Sequence, residues 1–214
     1  MRGDCPNPAT VLDSDQMTVF TVGLLSDTHI PHRLKRLPAS VLDALAGVDL
    51  ILHAGDVDDP AALEPLRAVA PVHGVRGNVH FQEFSDGGVA LPAVVELRLA
   101  GFHVVLTHGH RFGLLGFCRN IVDVFALRLG LLAKGDFNRR TGRRLARLYP
   151  EADVIVFGHS HQAHVERVGR ALLVNPGAVC PTWGERQTVA RLRLGVGKPE
   201  VEIVPLLIGS HSQL

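Results

Sequence analysis

Aromatic side chains are scarce in this chain, at 5% of the sequence with a single Trp and a single Tyr. A surface that stacks nucleic-acid bases needs interleaved aromatics, so a stable nucleic-acid complex is not expected. Charge of either sign is also lacking in excess. The 22 Lys and Arg against 21 Asp and Glu leave a formal net charge of +1, and no global field recruits a polyanion. Cysteine is rare, and the 3 present, Cys5, Cys118 and Cys180, form no regular spacing. An odd, irregular set excludes a disulfide framework and points to a reducing compartment, so a cytoplasmic location is expected. No Cys has a second one nearby, and thiolate ligation of a metal is not anticipated. Apolar runs stay short of the roughly 18 residues that a membrane span requires. The polar residues 1–17 lack the apolar stretch of a secretory signal and read as a disordered leader.

What is present is a core-forming chain of 214 residues, 46% hydrophobic, which is enough for one domain, expected over 18–208 with a flexible tail at 209–214. VFTVGLLSD at 19–27 reads as a strand and LPASVLDALAG at 37–47 as a helix closed by Gly47. VDLILHAGD at 48–56 is a nearly continuous apolar strand, as a parallel strand covered on both faces should be. DDPAALEPLRAVA at 58–70 offers an Asp cap and a short helix, and PVHGVRGN at 71–78 a third strand. Right-handed crossovers in such a βαβαβ unit bring all three strand ends to one edge. A hairpin follows at 93–99 and 102–107, then strands at 154–157, 163–168, 171–174, 187–194 and 200–207, mostly antiparallel because their connections are short. The sum is an α/β fold, a four-layer α/β/β/α sandwich of two mixed sheets face to face.

Two stretches stand apart. FCRNIVDVFALRLGLLAKG at 117–135 carries Ile121, Val122, Phe125, Leu129 and Leu132 on one helical stripe. It is open to three readings: core, a lid, or a homodimer contact. NRRTGRRLARL at 138–148 sets Arg140, Arg143, Arg144 and Arg147 on about two helical turns. A solvated helix face is the plain reading and a phosphate-steering surface the alternative.

The chemistry lies where apolar runs end: LLSDTH at 24–29, ILHAGD at 51–56, GNVH at 77–80, VVLTHGH at 104–110 and VIVFGHSH at 154–161. Asp27 and His29 are two apart, so both side chains share one side if the strand stays extended. Asp56 follows Gly55 and has two carboxylate oxygens with which to bridge two ions. Asn78 offers a neutral amide oxygen, and His108, His110, His159 and His161 bracket Gly109 and Ser160. Burying so much ionisable surface without a cation would cost several kcal/mol. Mixed imidazole and carboxylate ligands suit manganese, iron or zinc, whereas calcium and magnesium prefer oxygen. His32, His53, His73, His103, His164 and His211 are left as structural or surface residues.

The series SDTH, HAGD, GNVH, THGH and GHSH, with NPGAV at 175–179, resembles the calcineurin-like metallophosphoesterase superfamily over about residues 19–205. Within it the series is most similar to a compact branch of small bacterial and archaeal phosphodiesterases, to which the retromer subunit Vps29 is also similar. The resemblance implies a dinuclear centre of two divalent or transition ions, manganese foremost, with iron, zinc or nickel as alternatives. Asp27, His29 and His161 would hold the first ion, Asn78, His108 and His159 the second, and Asp56 both. It implies hydrolysis of a small phosphate ester by a metal-bound hydroxide, with phosphodiesters preferred. A phosphomonoesterase and a non-catalytic, Vps29-like interaction module are the alternatives. Asp56, Asn78, His80 and His110 are the candidate catalytic residues. GNVH departs from relatives that place a His directly after the Asn, since Val79 stands there. His80 either replaces that proton donor or faces solvent, and His110 either orients a ligand or touches phosphate.

Overall fold

The computed structural model describes residues 19–77, 91–110, 134–180 and 185–207. Strand β1 (Phe20–Leu25) leads to helix α1 (Ala39–Ala44), β2 (Leu50–His53), a 3-10 turn (Pro60–Leu63), α2 (Glu64–Arg67) and β3 (Val72–Gly74). The hairpin β4 (Val94–Leu99) and β5 (Phe102–Thr107) follows, then helix α3 (Lys134–Leu148) and β6 (Val154–Val156). The chain closes with β7 (His164–Val168), β8 (Ala171–Asn175), β9 (Thr188–Leu194) and β10 (Glu200–Pro205).

Two five-stranded sheets result, ordered β10-β9-β1-β2-β3 and β4-β5-β6-β8-β7. In the first, parallel β1-β2-β3 runs to one edge and antiparallel β9 and β10 complete the other side; in the second, parallel β5-β6-β8 is flanked by antiparallel β4 and β7. Both are therefore mixed, and among the later strands β6 and β8 depart from antiparallel pairing: β6 runs parallel to both β5 and β8.

Side-chain alternation along these strands builds the layers. Val22, Leu24, Leu50 and Leu52 from one sheet meet Val104, Leu106, Val154, Val156 and Val174 from the other in one buried cluster. The odd-numbered partners Leu25 and Ile51 turn the opposite way, onto Val41 of α1, Leu45 at its C-cap and Leu66 of α2. Val105, Ile155, Phe157 and Leu173 do the same on the far sheet, against Leu145 of α3. The order helix, sheet, sheet, helix follows from this period of two.

Local details differ from the expected boundaries. The helix read at 58–70 splits at Leu63/Glu64, where Pro65 lacks the N–H that would continue it. Asp59 caps the 3-10 turn by accepting from Ala61 N–H at 2.8 Å, which releases Asp58 for another role. The leader 1–17, the segment 117–133, the tail 209–214, Asn78 and His80 lie outside the described residues. No helix among the described residues is long and apolar enough to cross a membrane.

Candidate metal centre

The carboxyl ends of β1, β2, β5 and β6 meet where the two sheets face each other, and the segments after them carry the histidines and aspartates. None of these segments is extended. Asp27, His29, Asp56, His159 and His161 have φ of 53°, 48°, 55°, 74° and 60°, all left-handed. The expectation of a persisting strand at Asp-x-His is therefore corrected. The two side chains converge because each residue turns through the left-handed region, not because the strand alternates. Such a conformation costs roughly 1–2 kcal/mol per non-glycine residue. Five of them clustered at one edge is strain concentrated at a site, which the packed sheets must hold in place.

Glycine allows the approach of the remaining parts. Gly55 has φ 97°, and a Cβ there would stand 2.6 Å from His108 Nδ1. A Cβ on Gly77 would fall inside the Asp56 carboxylate. Both positions require glycine so that Asp56 and His108 can reach the centre.

The distances then define a cluster. His29 Nε2 and His108 Nε2 lie 3.4 and 3.5 Å from the same oxygen, Asp56 Oδ2. His161 Nε2 is 3.2 Å from Asp27 Oδ1. One ligand atom each from Asp27, His29, Asp56 and His161 falls within 4.8 Å of the others. The rings of His108 and His159 meet edge-on at 5.1 Å, and His110 stands 5.5 and 6.3 Å from those two rings. Every one of the seven expected metal ligands except Asn78 is thus brought together, with His110 at the margin.

Electrostatics bear on what the cluster can hold. Burial works to raise the Asp27 carboxyl, but the adjacent His161 overrides it and holds it down at about 2. Burial likewise opposes the charged forms of His108 and His161, yet Asp56 lifts the former to about 9 and Asp27 the latter to about 10. His159, buried and beside the cationic His108, is pushed down to about 3, and burial lowers His29 as well. Protons on His108 and His161 thus stand in for positive charge that two buried carboxylates demand. Even so, the buried atoms Asp27 Oδ1 and His29 Nε2 make no hydrogen bond. Oriented donors, buried orphan atoms and paired carboxylates fit a cation-binding site of mixed nitrogen and oxygen character.

Groups behind these side chains fix their orientation, and most were not visible in sequence. Asp58 (φ 69°) lies 3.2 Å from His29 Nδ1 and 2.9 Å from His32 Nδ1. His108 Nδ1 is 2.7 Å from the Ala54 carbonyl, which must accept from it, so Nε2 is the nitrogen that faces Asp56 and the one left bare when the ring is neutral. His53 is buried, accepts from Gly55 N–H through Nδ1 and so donates from Nε2 to Thr28 Oγ1, at 3.2 Å in each case. Burial lowers it to about 4, keeping it neutral for that part. Ser26 Oγ lies 2.6 Å from Asp27 Oδ2. Cys180 Sγ is 3.7 Å from His161 Nδ1.

Helix α3 braces the far side. Asn138 donates to the Gln162 carbonyl at 3.2 Å, and Asn175 Nδ2 reaches Asn138, the Gly158 carbonyl and Ser160. Arg144, read from sequence as one of a solvated row, instead donates to the Gly109 carbonyl between His108 and His110. Arg140, Arg143 and Arg147 are exposed, as expected of that row, and Arg139 is exposed as well.

Residues 20–196 match the family model of the calcineurin-like phosphoesterase superfamily domain. A probable metallophosphoesterase of Methanothermobacter thermautotrophicus is 31% identical over 185 residues, covering 86% of this chain and 91% of that relative. The chain belongs to the calcineurin-like phosphoesterase superfamily. A probable metallophosphoesterase of Methanocaldococcus jannaschii is similar at 30% identity, covering 86% and 81% of the two chains. Among solved structures, a conserved Streptococcus pneumoniae protein described as a predicted phosphoesterase superposes with TM-score 0.57 at 21% identity, over 91% and 95% of the chains. Entamoeba histolytica Vps29 complexed with zinc superposes with TM-score 0.54 at 19% identity, over 86% and 98%. At those identities the likeness speaks to the fold, which this chain shares with distant Vps29-type proteins. Within the superfamily, this chain has the clustered His, Asp and Cys groups that can chelate metal.

Proposed function

We propose that the chain is a dinuclear metal-dependent phosphodiesterase of the compact calcineurin-like branch. One observation carries the dinuclear reading. Asp56 Oδ2 stands within 3.5 Å of both His29 Nε2 and His108 Nε2, two imidazoles that come from different sheets. An oxygen so shared is where a bridging carboxylate belongs. Asp27, His29 and His161 would hold one ion, Asn78, His108 and His159 the other, with manganese the first choice. When bound, such ions polarise phosphoryl oxygens and lower the pKa of coordinated water, which is the chemistry that phosphate-ester hydrolysis requires.

The chain's own residues supply the rest. Asp58 and the Ala54 carbonyl keep His29 and His108 in the tautomers that turn Nε2 inward. The set of four imidazoles and one amide adds no negative charge beyond Asp27 and Asp56, which favours entry of an anionic ester. His110 borders the His108–His159 pair, where it can orient a ligand or meet a phosphate oxygen. His80 is the candidate donor of a proton to the leaving group. Diesters are preferred to monoesters because an activated or strained diester tolerates a weak acid.

The test is hydrolysis of bis(p-nitrophenyl) phosphate and p-nitrophenyl phosphate by protein that has been chelated and then resupplied with Mn²⁺. Diester turnover that vanishes on chelation, returns with Mn²⁺ and is lost in Asp56→Asn is expected. Faster monoester turnover would make it a phosphomonoesterase. Stoichiometric metal with no turnover of either would favour an interaction module.

A further inference from the structure

Three imidazoles of the centre have a second nitrogen held from behind. For His29 the group behind is the Asp58 carboxylate, and for His108 it is the Ala54 carbonyl. For His161 it is sulfur. Cys180 Sγ lies 3.7 Å from Nδ1, while Nε2 of the same ring lies 3.2 Å from Asp27 Oδ1. The thiol is free and fully buried, at 0% exposure.

The position of that sulfur is not left to a loose loop. Cys180 N–H donates to the Asp27 carbonyl at 3.0 Å, and Val179 N–H to the Ser26 carbonyl at 3.1 Å. Gln187 Nε2 fastens the Val179 carbonyl from the other side at 2.6 Å. The segment bearing the thiol is therefore clipped to the very residue whose carboxylate faces His161. Arg33 Nη1, 3.9 Å from the sulfur, completes its surroundings. Independently of the cysteine, the orphan atoms Asp27 Oδ1 and His29 Nε2, on residues 0% and 3% exposed, point to a ligand in this space.

We propose that Cys180 is a positioning residue of the metal centre. Its sulfur accepts the Nδ1–H of His161 and fixes the tautomer and ring rotation that present Nε2, beside Asp27, to an ion. This rests on the reading of the site as a metal centre. A neutral imidazole carries one N–H, so the ligating nitrogen is bare only if the proton sits on the other. An acceptor behind that other nitrogen locks the choice, and removing such partners typically costs ten- to a hundredfold in metal affinity. Direct ligation by the thiolate is the competing role, since one ligand atom each from His29, His161 and Cys180 also falls within 4.8 Å of the others. The positioning role is favoured because the sulfur lies on the Nδ1 side of the ring and Asp27 on the Nε2 side.

The experiment uses the full chain as wild type, Cys180→Ser and Cys180→Ala, each freed of metal and titrated with Co²⁺. Heat and the visible and near-ultraviolet spectra are recorded together. Cys180→Ala should bind Co²⁺ roughly ten- to a hundredfold more weakly. Cys180→Ser, whose hydroxyl can still accept, should recover most of that loss. The metal-free thermal midpoints of the three should agree, so that a folding defect is not mistaken for the effect. Wild type should show cobalt d–d bands without a thiolate charge-transfer band. Equal affinity in wild type and Cys180→Ala, or Cys180→Ser as weak as Cys180→Ala, would overturn the positioning role. A charge-transfer band lost in Cys180→Ser would overturn it in favour of direct ligation. Failure of wild type to bind Co²⁺ at all would instead overturn the metal-centre reading, and this proposal with it.

Discussion

Protons and metal compete for the same nitrogens at the residue scale. In the metal-free chain His108 is held up at about 9 and His161 at about 10, so both are protonated at neutral pH. Because these values are raised above the ordinary 6.5, their ion pairs stabilise the metal-free fold fully below that pH and lose the effect as pH rises through 9 and 10. Asp27, lowered from 3.8 to about 2, works at the other end, and its contribution disappears as pH falls through about 2. Metal binding at pH 7 must displace the imidazole protons, so calorimetry in buffers of different ionisation enthalpy should detect proton release. Proton release should shrink above pH 10, and its absence at pH 7 would contradict ligation by these nitrogens. The two ions should also be separable by mutation. His159→Ala is expected to weaken one ion and His161→Ala the other, though only Ser160 lies between them, and uniform loss of both in a metal titration would count against the division. The residues that cluster at the site were legible in sequence because Asp, His and Gly recur at the ends of apolar runs. Asp58, His53 and Cys180 were not, since each acts through a neighbour distant in sequence. Asp58 stood in a segment read only for an Asp cap, and Cys180 was a residue without a second Cys nearby, until the fold set it behind His161.

At the scale of elements, helix α3 is tied to the site by polar contacts more than by its arginine row. Asn138 is fully buried and links the Gln162 carbonyl to Asn175, which in turn holds the Gly158 carbonyl and Ser160. Asn138→Ala leaves buried partners short of a hydrogen bond and should cost about 1–3 kcal/mol in denaturant unfolding. It should also weaken metal binding through the segment carrying His159 and His161. A stability change near zero would mean that water replaces the amide. Most strands were legible from their apolar period, with boundaries trimmed by a few residues where chain ends bend into the site. The split of the 58–70 helix followed from Pro65, whose effect is local. The left-handed turns at Asp27, His29, Asp56, His159 and His161 were not legible, because Asp and His adopt that conformation only when the surrounding packing enforces it.

At the scale of the whole molecule, the site exists only because two sheets dock. Asp27, His29 and Asp56 follow strands of one sheet, and His108, His159 and His161 follow strands of the other. Leu106 is fully buried in the cluster between the sheets. Leu106→Ala should destabilise the chain by about 2–5 kcal/mol. Mn²⁺, binding only the docked state, should raise the thermal midpoint of that variant and of wild type, and chelator should reverse the gain. An unchanged midpoint would separate metal binding from the docking of the sheets. The layer order was readable in advance from the succession of apolar segments and the lengths of their connections, whereas the meeting of Asp- and His-bearing segments from both sheets in one centre was implied by resemblance. What joins the sheets chemically is Asp56, with one oxygen between His29 and His108. Anomalous diffraction from a crystal grown with Mn²⁺, collected above and below the manganese edge, tests this directly. Two peaks flanking the Asp56 carboxylate, one toward Asp27, His29 and His161 and the other toward His108 and His159, are expected. A single peak, or manganese bound away from Asp56, would contradict a shared dinuclear centre.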